Sequence, residues 1–545
     1  MSNILMLWLF MLAGPAQTIS NPATNPAEPC TVQGVVTKSG TGEPLRKANV
    51  EMRLEAGNDQ PLDAVTDSMG RFEFKNLEPG RYWLSVQRNG YVRQQYGQTK
   101  RDGAGSILTL SPGEKVSDIA FQLIPAAVIT GHVYDEDGEP VQGAQVMTLR
   151  SVYTDGQREL ARAGQALTDD LGAFRIYGLA PGQYIVEAQK RSPFFAVLKA
   201  DQGYVPIYYP GVSDPGRAVP ITVRAGDEFS SADITLATAQ TVTLRGHVIS
   251  STSGGPALHA LLYLVSQGTD TSANQVVSQS LVTDPQGGFE LRGVAPGAYT
   301  LNAFRTEGGK GEFGRLPLDV AESDLNGINL TVAPNVNIPG RLRVEGKPDS
   351  SVGSFQVSLS PKNTRIFVGG LPGDAVKPDG KFLLKNVLDD EYDINVDGLP
   401  AGYFVKSARW DGADVLATGV RFGPTPSSGL LDIVVSPDGA RIEGMVSKDQ
   451  QPYQGASVTL VPDPPHRGER RLYQTTSTDQ LGRFLLQGIP PGDYKLFAWE
   501  SLSPGAYTSS DFLRPFESRG ETVHVAEGSS LSVNLDLIPA KDSGQ

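Results

Sequence analysis

The stretch TDDLGAFRIYGLAPGQY, residues 168–184, sets a spacing that returns along the chain. Counted from Phe174, a Pro-Gly pair follows at the seventh and eighth positions and Tyr184 at the tenth. The same spacing recurs from Phe72, Phe289 and Phe484. A fifth copy begins at Phe382, with Asp389-Asp390 in place of Pro-Gly and Tyr392 at the tenth position. Successive phenylalanines lie 102, 115, 93 and 102 residues apart, so the chain is predicted to be an array of small domains.

The repeat divides the 545 residues into five expected domains, which are named repeats 1 to 5. Their predicted spans are 30–124, 125–237, 238–333, 334–436 and 437–545, and the fourth is degenerate. Residues 1–20 are predicted to be a signal peptide, and residues 21–29, with their three prolines, an extended leader.

Each copy of the motif predicts β-structure, because its apolar residues alternate with polar ones. Phe72 and Phe74 share one face, and Tyr82 and Leu84 share one face after the turn at Pro79-Gly80. This pattern predicts two antiparallel strands that each place one face on a core. The tyrosine is expected to be buried with its hydroxyl on the backbone. Because each repeat closes with an alternating strand and the next opens within about ten residues, short linkers and an elongated rod are expected.

Charge and composition argue against two kinds of binding surface and favour β-structure. The formal net charge is −13, spread along the chain without a basic block, which argues against a nucleic-acid or anionic-membrane surface. The 61 glycines and 39 prolines are dispersed along the chain without long runs, as expected of short strands joined by tight turns.

The N-terminal residues predict export. Ten apolar residues, 4–13, precede the small residues Gly14-Pro15-Ala16, as in a secretory signal. Ten residues are too few to span a bilayer, and no other long apolar run follows, so no integral membrane segment is expected after cleavage. Cys30 is the only cysteine, so no internal disulfide forms and Cys30 is expected to be an unreactive residue near the first strand. The expected location is the periplasm, the cell surface or the extracellular space.

The repeats resemble a known family. Repeat 2 has Gly-His-Val at 131–133, DGEPVQGAQV at 137–146, and Thr168-Asp169 ahead of Phe174, and repeats 1 and 5 follow the same order. This combination resembles the carboxypeptidase regulatory-like domain. Repeat 3 is weaker in its first part, and repeat 4 has Val376-Lys377 in place of Thr-Asp. The resemblance implies an all-β array of about five seven-stranded Greek-key β-sandwiches of the transthyretin-like, or prealbumin-like, type, which is grouped with carbohydrate-binding-like folds. It implies no single function, because the family is an accessory domain beside peptidases, in outer-membrane receptors and in surface proteins.

No catalytic, metal-binding or cofactor-binding residues are expected. A metallocarboxypeptidase needs zinc held by two histidines and a glutamate on rigid elements. The one His-x-x-Glu is His466 to Glu469, in a predicted loop, and the next histidine is His524. His132 and His247 occupy the same place in two different repeats and are expected to be polar strand residues.

Loop aromatics are the candidate binding residues. Tyr204, Tyr208 and Tyr209 lie between two strands of repeat 2, where flat rings suit stacking on sugars or anchoring a peptide. The alternative is that this loop packs on its own sandwich. Trp83 and Trp499 are expected on the outward face of the strand after Pro-Gly, where they contact either another domain or a ligand.

The sequence therefore favours a non-catalytic, exported array with a structural or interaction role in the cell envelope. A carbohydrate-binding protein is the first alternative, and an accessory to or remnant of a metallocarboxypeptidase system is the second. A glycan or an envelope protein is the expected partner, without nucleic acid, and the oligomeric state is left open.

Overall fold

The computed structural model describes residues 28–55, 60–98, 100, 103–154, 156–190, 202–267, 276–281, 284–307, 310–346, 355–362, 371–423 and 429–540. The predicted signal peptide, and the leader as far as residue 27, lie outside the described residues. Within them the regular structure is mainly β-strand, with one four-residue α-helix, α1 (Ser510–Leu513). Among the described helices none has the length and apolar character needed to cross a bilayer.

Repeats 1 and 2 have the same strand order. The strands of repeat 1 are β1 (Cys30–Lys38), β2 (Asn49–Leu54), β3 (Leu62–Val65), β4 (Arg71–Leu77), β5 (Gly80–Gln87), β6 (Gln94–Gln95), β7 (Ile107–Leu110) and β8 (Lys115–Leu123). Those of repeat 2 are β9 (Ala127–Tyr134), β10 (Gln145–Thr154), β11 (Gln157–Leu167), β12 (Ala173–Leu179), β13 (Gly182–Gln189), β14 (Gln202–Tyr204), β15 (Ile207–Tyr208), β16 (Ile221–Val223), β17 (Glu228–Phe229) and β18 (Ile234–Thr235).

Repeats 3 and 4 continue the array. The strands of repeat 3 are β19 (Thr238–Gln240), β20 (Val242–Ser250), β21 (Leu261–Ser266), β22 (Val276–Leu281), β23 (Gly288–Val294), β24 (Gly297–Glu307), β25 (Lys310–Val320) and β26 (Leu325–Pro334). Those of repeat 4 are β27 (Val336–Val344), β28 (Gln356–Pro361), β29 (Gly373–Ala375), β30 (Lys381–Val387), β31 (Asp390–Asp397), β32 (Phe404–Trp410), β33 (Ala413–Asp414), β34 (Val420–Phe422) and β35 (Leu431–Ser436).

Repeat 5 adds short helical turns to the strands. Its strands are β36 (Ala440–Lys448), β37 (Gln451–Pro452), β38 (Ser457–Pro462), β39 (Gln474–Ser477), β40 (Arg483–Ile489), β41 (Gly492–Trp499), β42 (Glu521–Val525), β43 (Ser530–Ser532) and β44 (Leu535–Ile538). Between β41 and β42, residues 506–519 form α1 flanked by the 3-10 turns Ala506–Thr508 and Arg514–Arg519. These residues are called the helical segment.

Repeats 1, 2 and 4 each have two separate strand layers, whereas the paired strands of repeats 3 and 5 join into one continuous sheet. In repeat 1 one layer has the order β4-β1-β8, with β1 and β8 parallel, and the other runs β3-β2-β5, extended by β6 and β7. Repeat 2 has the corresponding orders β12-β9-β17 and β11-β10-β13-β15. In the described part of the chain, five large clusters of buried apolar side chains fall one to a repeat. The all-β sandwich fold predicted from the repeats is confirmed.

The two motif strands face one core, as predicted, but they lie in different sheets. β12, which carries Phe174, pairs with β9, whereas β13, which carries Tyr184, pairs with β10 in the other layer. The turn at Pro181-Gly182 therefore carries the chain from one sheet to the other. Phe174 and Tyr184 are only 4% and 2% exposed, so the two strands face the same core from opposite sides.

The predicted role of the tyrosine is confirmed. Tyr184 donates its hydroxyl hydrogen bond to the carbonyl oxygen of Ala180 at 2.6 Å. The tyrosines at the same position donate to the carbonyl four residues earlier in the other repeats, at 2.8, 2.9, 3.2 and 2.9 Å for Tyr82, Tyr299, Tyr392 and Tyr494. A buried hydroxyl without such a partner would be costly, so the contact also holds the Pro-Gly crossover.

Thr168 and Asp169 hold turns in place. The Thr168 hydroxyl accepts from the Ala144 amide at 2.8 Å and donates to a backbone carbonyl. Asp169 accepts from the amides of Leu171 and Ala173 at 3.0 and 2.9 Å, which closes the turn before the Phe174 strand. The pair therefore serves the fold, because short polar side chains that satisfy local backbone groups stabilise turns.

The opening glycine of each repeat is explained by close packing. A Cβ on Gly34 would lie 2.3 Å from the carbonyl oxygen of Ile119 and 2.6 Å from the ring of Phe72. The ring of the motif phenylalanine thus lies directly against the backbone of the first strand. A larger residue there would displace either the ring or β8.

Candidate functional site: the contacts of repeat 5 with repeats 1 and 2

The array is not the elongated rod predicted from its short linkers. The linkers are short, because β8 of repeat 1 ends at Leu123 and β9 of repeat 2 begins at Ala127. Repeat 5 nevertheless contacts repeats 1 and 2, although several hundred residues separate them in sequence. Short linkers limit the distance between consecutive domains but do not fix the angle between them, so the chain can return on itself.

The contact with repeat 1 joins the turn before Phe484 in repeat 5 to β7 of repeat 1. Ser106 donates its hydroxyl hydrogen bond to the carbonyl of Thr478 at 2.7 Å. The side-chain amide of Gln480 accepts from the Thr109 amide at 3.1 Å and donates to the Thr109 carbonyl at 2.9 Å. The turn of repeat 5 therefore occupies the backbone groups of β7 much as a further strand would.

Tyr96 belongs to the same contact. Burial raises the pKa of Tyr96, its hydrogen bond with Gln454 of repeat 5 opposes that rise, and the nearby carboxylates of Asp118 and Asp479 add to it. The phenol is therefore neutral near neutral pH and is available as a hydrogen-bonding group between the two repeats.

The contact with repeat 2 is partly aromatic. The backbone amide of Tyr153, near the tip of the β10–β11 hairpin, donates to the carbonyl of Pro504 at 3.2 Å. The Tyr153 ring lies 5.8 Å from the ring of Phe512 in the helical segment, centroid to centroid. Phe512 in turn lies 5.6 Å from the fully buried Trp499. The hairpin tip thus extends the aromatic cluster on the outer face of β41.

Trp499 lies on the outer face of β41, as predicted, and packs against Phe512, which in turn contacts Tyr153 of repeat 2. Its indole nitrogen donates to the hydroxyl of Thr459 at 3.0 Å. The helical segment covers it and is fastened by Glu517, whose carboxylate lies 2.6 Å from Arg467 and 2.9 Å from Lys495. The hydrogen bond from Arg467 is the main reason that the pKa of Glu517 is lowered.

A charged contact joins repeats 4 and 5. Lys406 lies 2.7 Å from Glu345 of its own repeat and 2.8 Å from Glu527 of repeat 5. Its hydrogen bonds with Glu345 and Glu527 raise the pKa of Lys406. Because the group is exposed to solvent, the pair fixes orientation more than it adds stability.

The three predicted binding tyrosines lie in different surroundings. Tyr204 is 36% exposed and pairs through β14 with β19. Tyr208 is 5% exposed and packs with Met147 in a small cluster on the outer face of the sheet. Tyr209 packs against the ring of Phe229, at 6.2 Å between centroids. The three rings therefore do not form one flat platform, and glycan binding through them stays a prediction.

The histidines named from the sequence make local pairs. His466 Nδ1 lies 2.6 Å from Glu469 within a short 3-10 turn, and His524 Nδ1 lies 2.7 Å from Asp493. His132 Nδ1 lies 3.3 Å from Asp233. Among the described residues, no group of three or more potential ligands is arranged to hold a metal ion.

The sequence contains weak signals of these contacts. The hairpin strands β10 and β11 have 10 and 11 residues, against 6 and 4 for β2 and β3 of repeat 1. The helical segment is rich in aromatic residues. Neither feature indicates which repeat it meets, because the partner is set by the path of the whole chain.

Comparison with known families agrees with this architecture. Residues 31–123 and 128–237 each match the family described as carboxypeptidase regulatory-like domain. Repeats 1 and 2 are carboxypeptidase regulatory-like domains. The resemblance inferred from the motif spacing is thereby confirmed for these two repeats, and the matched residues cover less than half of the chain.

Relatives of known name share part of the array. The mouse BOS complex subunit NOMO1 is 26% identical over 150 residues, which cover 25% of this chain and 11% of the mouse protein. The human BOS complex subunit NOMO3 is 25% identical over 150 residues, which again cover 25% of this chain and 11% of the human protein. The match therefore spans about a tenth of the length of these relatives.

Solved structures that align with part of this chain include bacterial pilins. The minor pilin GBS52 of Streptococcus agalactiae aligns over 38% of this chain and 96% of its own, at 14% identity and a TM-score of 0.22. A streptococcal ancillary pilin aligns over 55% and 99%, at 11% identity and a TM-score of 0.20. Similarity at these TM-scores supports no functional argument.

Proposed function

We propose that this chain is an exported, non-catalytic protein with a structural or interaction role in the cell envelope. The observation that carries the proposal is the contact of repeat 5 with repeats 1 and 2. The turn of repeat 5 that carries Gln480 holds Thr109 of repeat 1. The helical segment of repeat 5 holds the hairpin tip of repeat 2 through the contact of Phe512 with Tyr153. These elements are used for protein contacts and fix the relative positions of the repeats.

The relatives favour a protein partner over a glycan. The mouse and human relatives are by name subunits of a complex. We propose that this chain also acts by binding other proteins. An accessory role beside a metallocarboxypeptidase is the same kind of function with a different partner. Zinc bound stoichiometrically to the purified chain would instead favour an enzyme.

Cell fractionation with N-terminal sequencing tests the location. We expect the chain in the periplasmic, surface or extracellular fraction, with its new N-terminus near residue 20. Recovery in the cytosol with Met1 retained would contradict export. Chemical cross-linking in intact cells, followed by mass spectrometry, tests the interaction role. Cross-links confined to the chain itself would contradict it.

We propose further that the five repeats are domains with the boundaries 30–124, 125–237, 238–333, 334–436 and 437–545. Separate buried clusters in the five repeats support this division. Limited proteolysis should cut first near residues 125, 237, 333 and 436, whereas first cuts inside the repeats would contradict the boundaries.

A further inference from the structure

Repeat 2 has a cavity of about 360 Å³ on the outer face of its β11-β10-β13 sheet, beneath residues 215–220. This volume lies within the range of about 300–1,000 Å³ found for small-molecule sites. The corresponding face of repeat 5 is filled by Trp499, Phe497 and the helical segment. Repeat 2 thus leaves open a face that the helical segment covers in repeat 5, where Lys495 contacts Glu517.

The strand register places an apolar floor in this cavity. Leu149 pairs with Ile185, and Ser151 pairs with Leu160, so these side chains share one face of the sheet. Tyr184, next to Ile185 in sequence, points to the opposite face and is buried in the main core. Together with Pro215 the aliphatic side chains give a floor and a wall without an aromatic platform.

A guanidinium lies at the edge of this floor. Arg158 lines the cavity on the same face and donates from Nε to the Ser151 hydroxyl at 2.5 Å. Within the described residues Arg158 makes no ion pair, and its two Nη atoms are not needed for the contact with Ser151. A planar guanidinium of this kind binds a carboxylate with two parallel hydrogen bonds.

We propose that this cavity binds a small organic carboxylate with an aliphatic body. The carboxylate meets Arg158, and the hydrocarbon chain lies over Leu149, Leu160 and Ile185. Two arginines, Arg150 and Arg158, and one carboxylate, Glu159, line the cavity, so positive charge is in excess and favours an anion, and the size of the cavity limits the body to a small molecule. The aliphatic floor favours a hydrocarbon over a sugar, whose hydroxyl groups would need more polar partners.

Methyl NMR of the full chain tests the proposal, with sodium hexanoate as the probe. Titration should shift the methyl signals of Ile185 and Leu160 in a saturable way, and leave Ile442 in the core of repeat 5 unchanged. Each methylene lost between hexanoate and butanoate should weaken binding about fourfold, because a buried CH₂ contributes about 0.8 kcal/mol. Hexanamide, which lacks the charge, should bind at least about tenfold more weakly than hexanoate.

Two arginine variants give the matched comparison. Arg158→Gln should weaken hexanoate at least about tenfold and bring it level with hexanamide. Arg162→Gln, on the same strand but outside the cavity and bonded to Gln165, should bind hexanoate as the unchanged chain does. Equal binding of hexanoate and hexanamide by the unchanged chain, or shifts that do not saturate, would overturn the proposal whether or not the variants fold.

Discussion

Gly505→Ala should separate repeat 5 from repeat 2 while leaving both repeats folded. Gly505 has a φ of +75°, and a Cβ added there would lie 2.2 Å from the carbonyl oxygen of Tyr153. The Cβ has no torsional freedom and the carbonyl oxygen belongs to the backbone, so the overlap is relieved only if the hairpin moves away. Gly327→Ala is the matched control, because Gly327 has a φ of +76° and nothing within 4 Å of the added Cβ.

The structure sets the expected size of the effect. Both variants carry the cost of a left-handed alanine, about 1–2 kcal/mol. Gly505→Ala additionally removes the hydrogen bond from the Tyr153 amide to Pro504 and the ring contact of Tyr153 with Phe512. A hydrogen bond contributes about 0.5–1.5 kcal/mol, and so does an aromatic pair. Loss of the interface should therefore cost about 1–3 kcal/mol, or about 5- to 150-fold in the equilibrium between contact and separation.

Amide hydrogen exchange measures this equilibrium directly, because the Tyr153 amide donates across the interface. In Gly505→Ala its exchange should be about 5- to 150-fold faster than in the unchanged chain and in Gly327→Ala. Amides of Val146 and Thr148, which lie in the part of β10 that pairs with both β11 and β13, should be unaffected. Equal exchange of Tyr153 in the two glycine variants would refute the reasoning. Faster exchange throughout β10 would also refute it.

Three further outcomes are expected. Phe174→Ala should destabilise repeat 2 by about 3–5 kcal/mol in denaturant unfolding, because a 4%-exposed ring leaves a cavity; no loss would contradict its core role. Gln480→Ala should speed exchange of the Thr109 amide, which Gln480 accepts from, and unchanged exchange would show that the repeat 1 contact does not form in solution. Glu517→Gln should flatten the acid sensitivity of the helical segment. The pKa of Glu517 is lowered in the folded state by Arg467, so its stabilisation is present above the unfolded pKa of about 4.3 and is lost as pH falls below it. Equal loss of protection from pH 6 to pH 3 in both chains would contradict this role.

The candidate site divides into parts that a local pattern encodes and parts that it does not. The outward position of Trp499 follows from alternation along β41, and the structure confirms it. The contact of Gln480 with Thr109 joins residues 371 positions apart, and nothing in the local sequence of either indicates the other. The cavity at Arg158 cannot be predicted from the local sequence either, because it depends on how residues 215–220 lie across a sheet.

Sequence alone determined the repeat, the strands, the core phenylalanine and the hydrogen-bonded tyrosine. Each of these depends on spacing within about ten residues, where alternation and turn chemistry act directly on the backbone. It did not determine that the Phe174 and Tyr184 strands enter different sheets, since a Pro-Gly turn suits a hairpin and a crossover alike. Nor did it determine the return of repeat 5 to repeats 1 and 2. That arrangement is decided by the angles between successive repeats, which add along the chain and bring the ring of Tyr153 within 5.8 Å of the ring of Phe512.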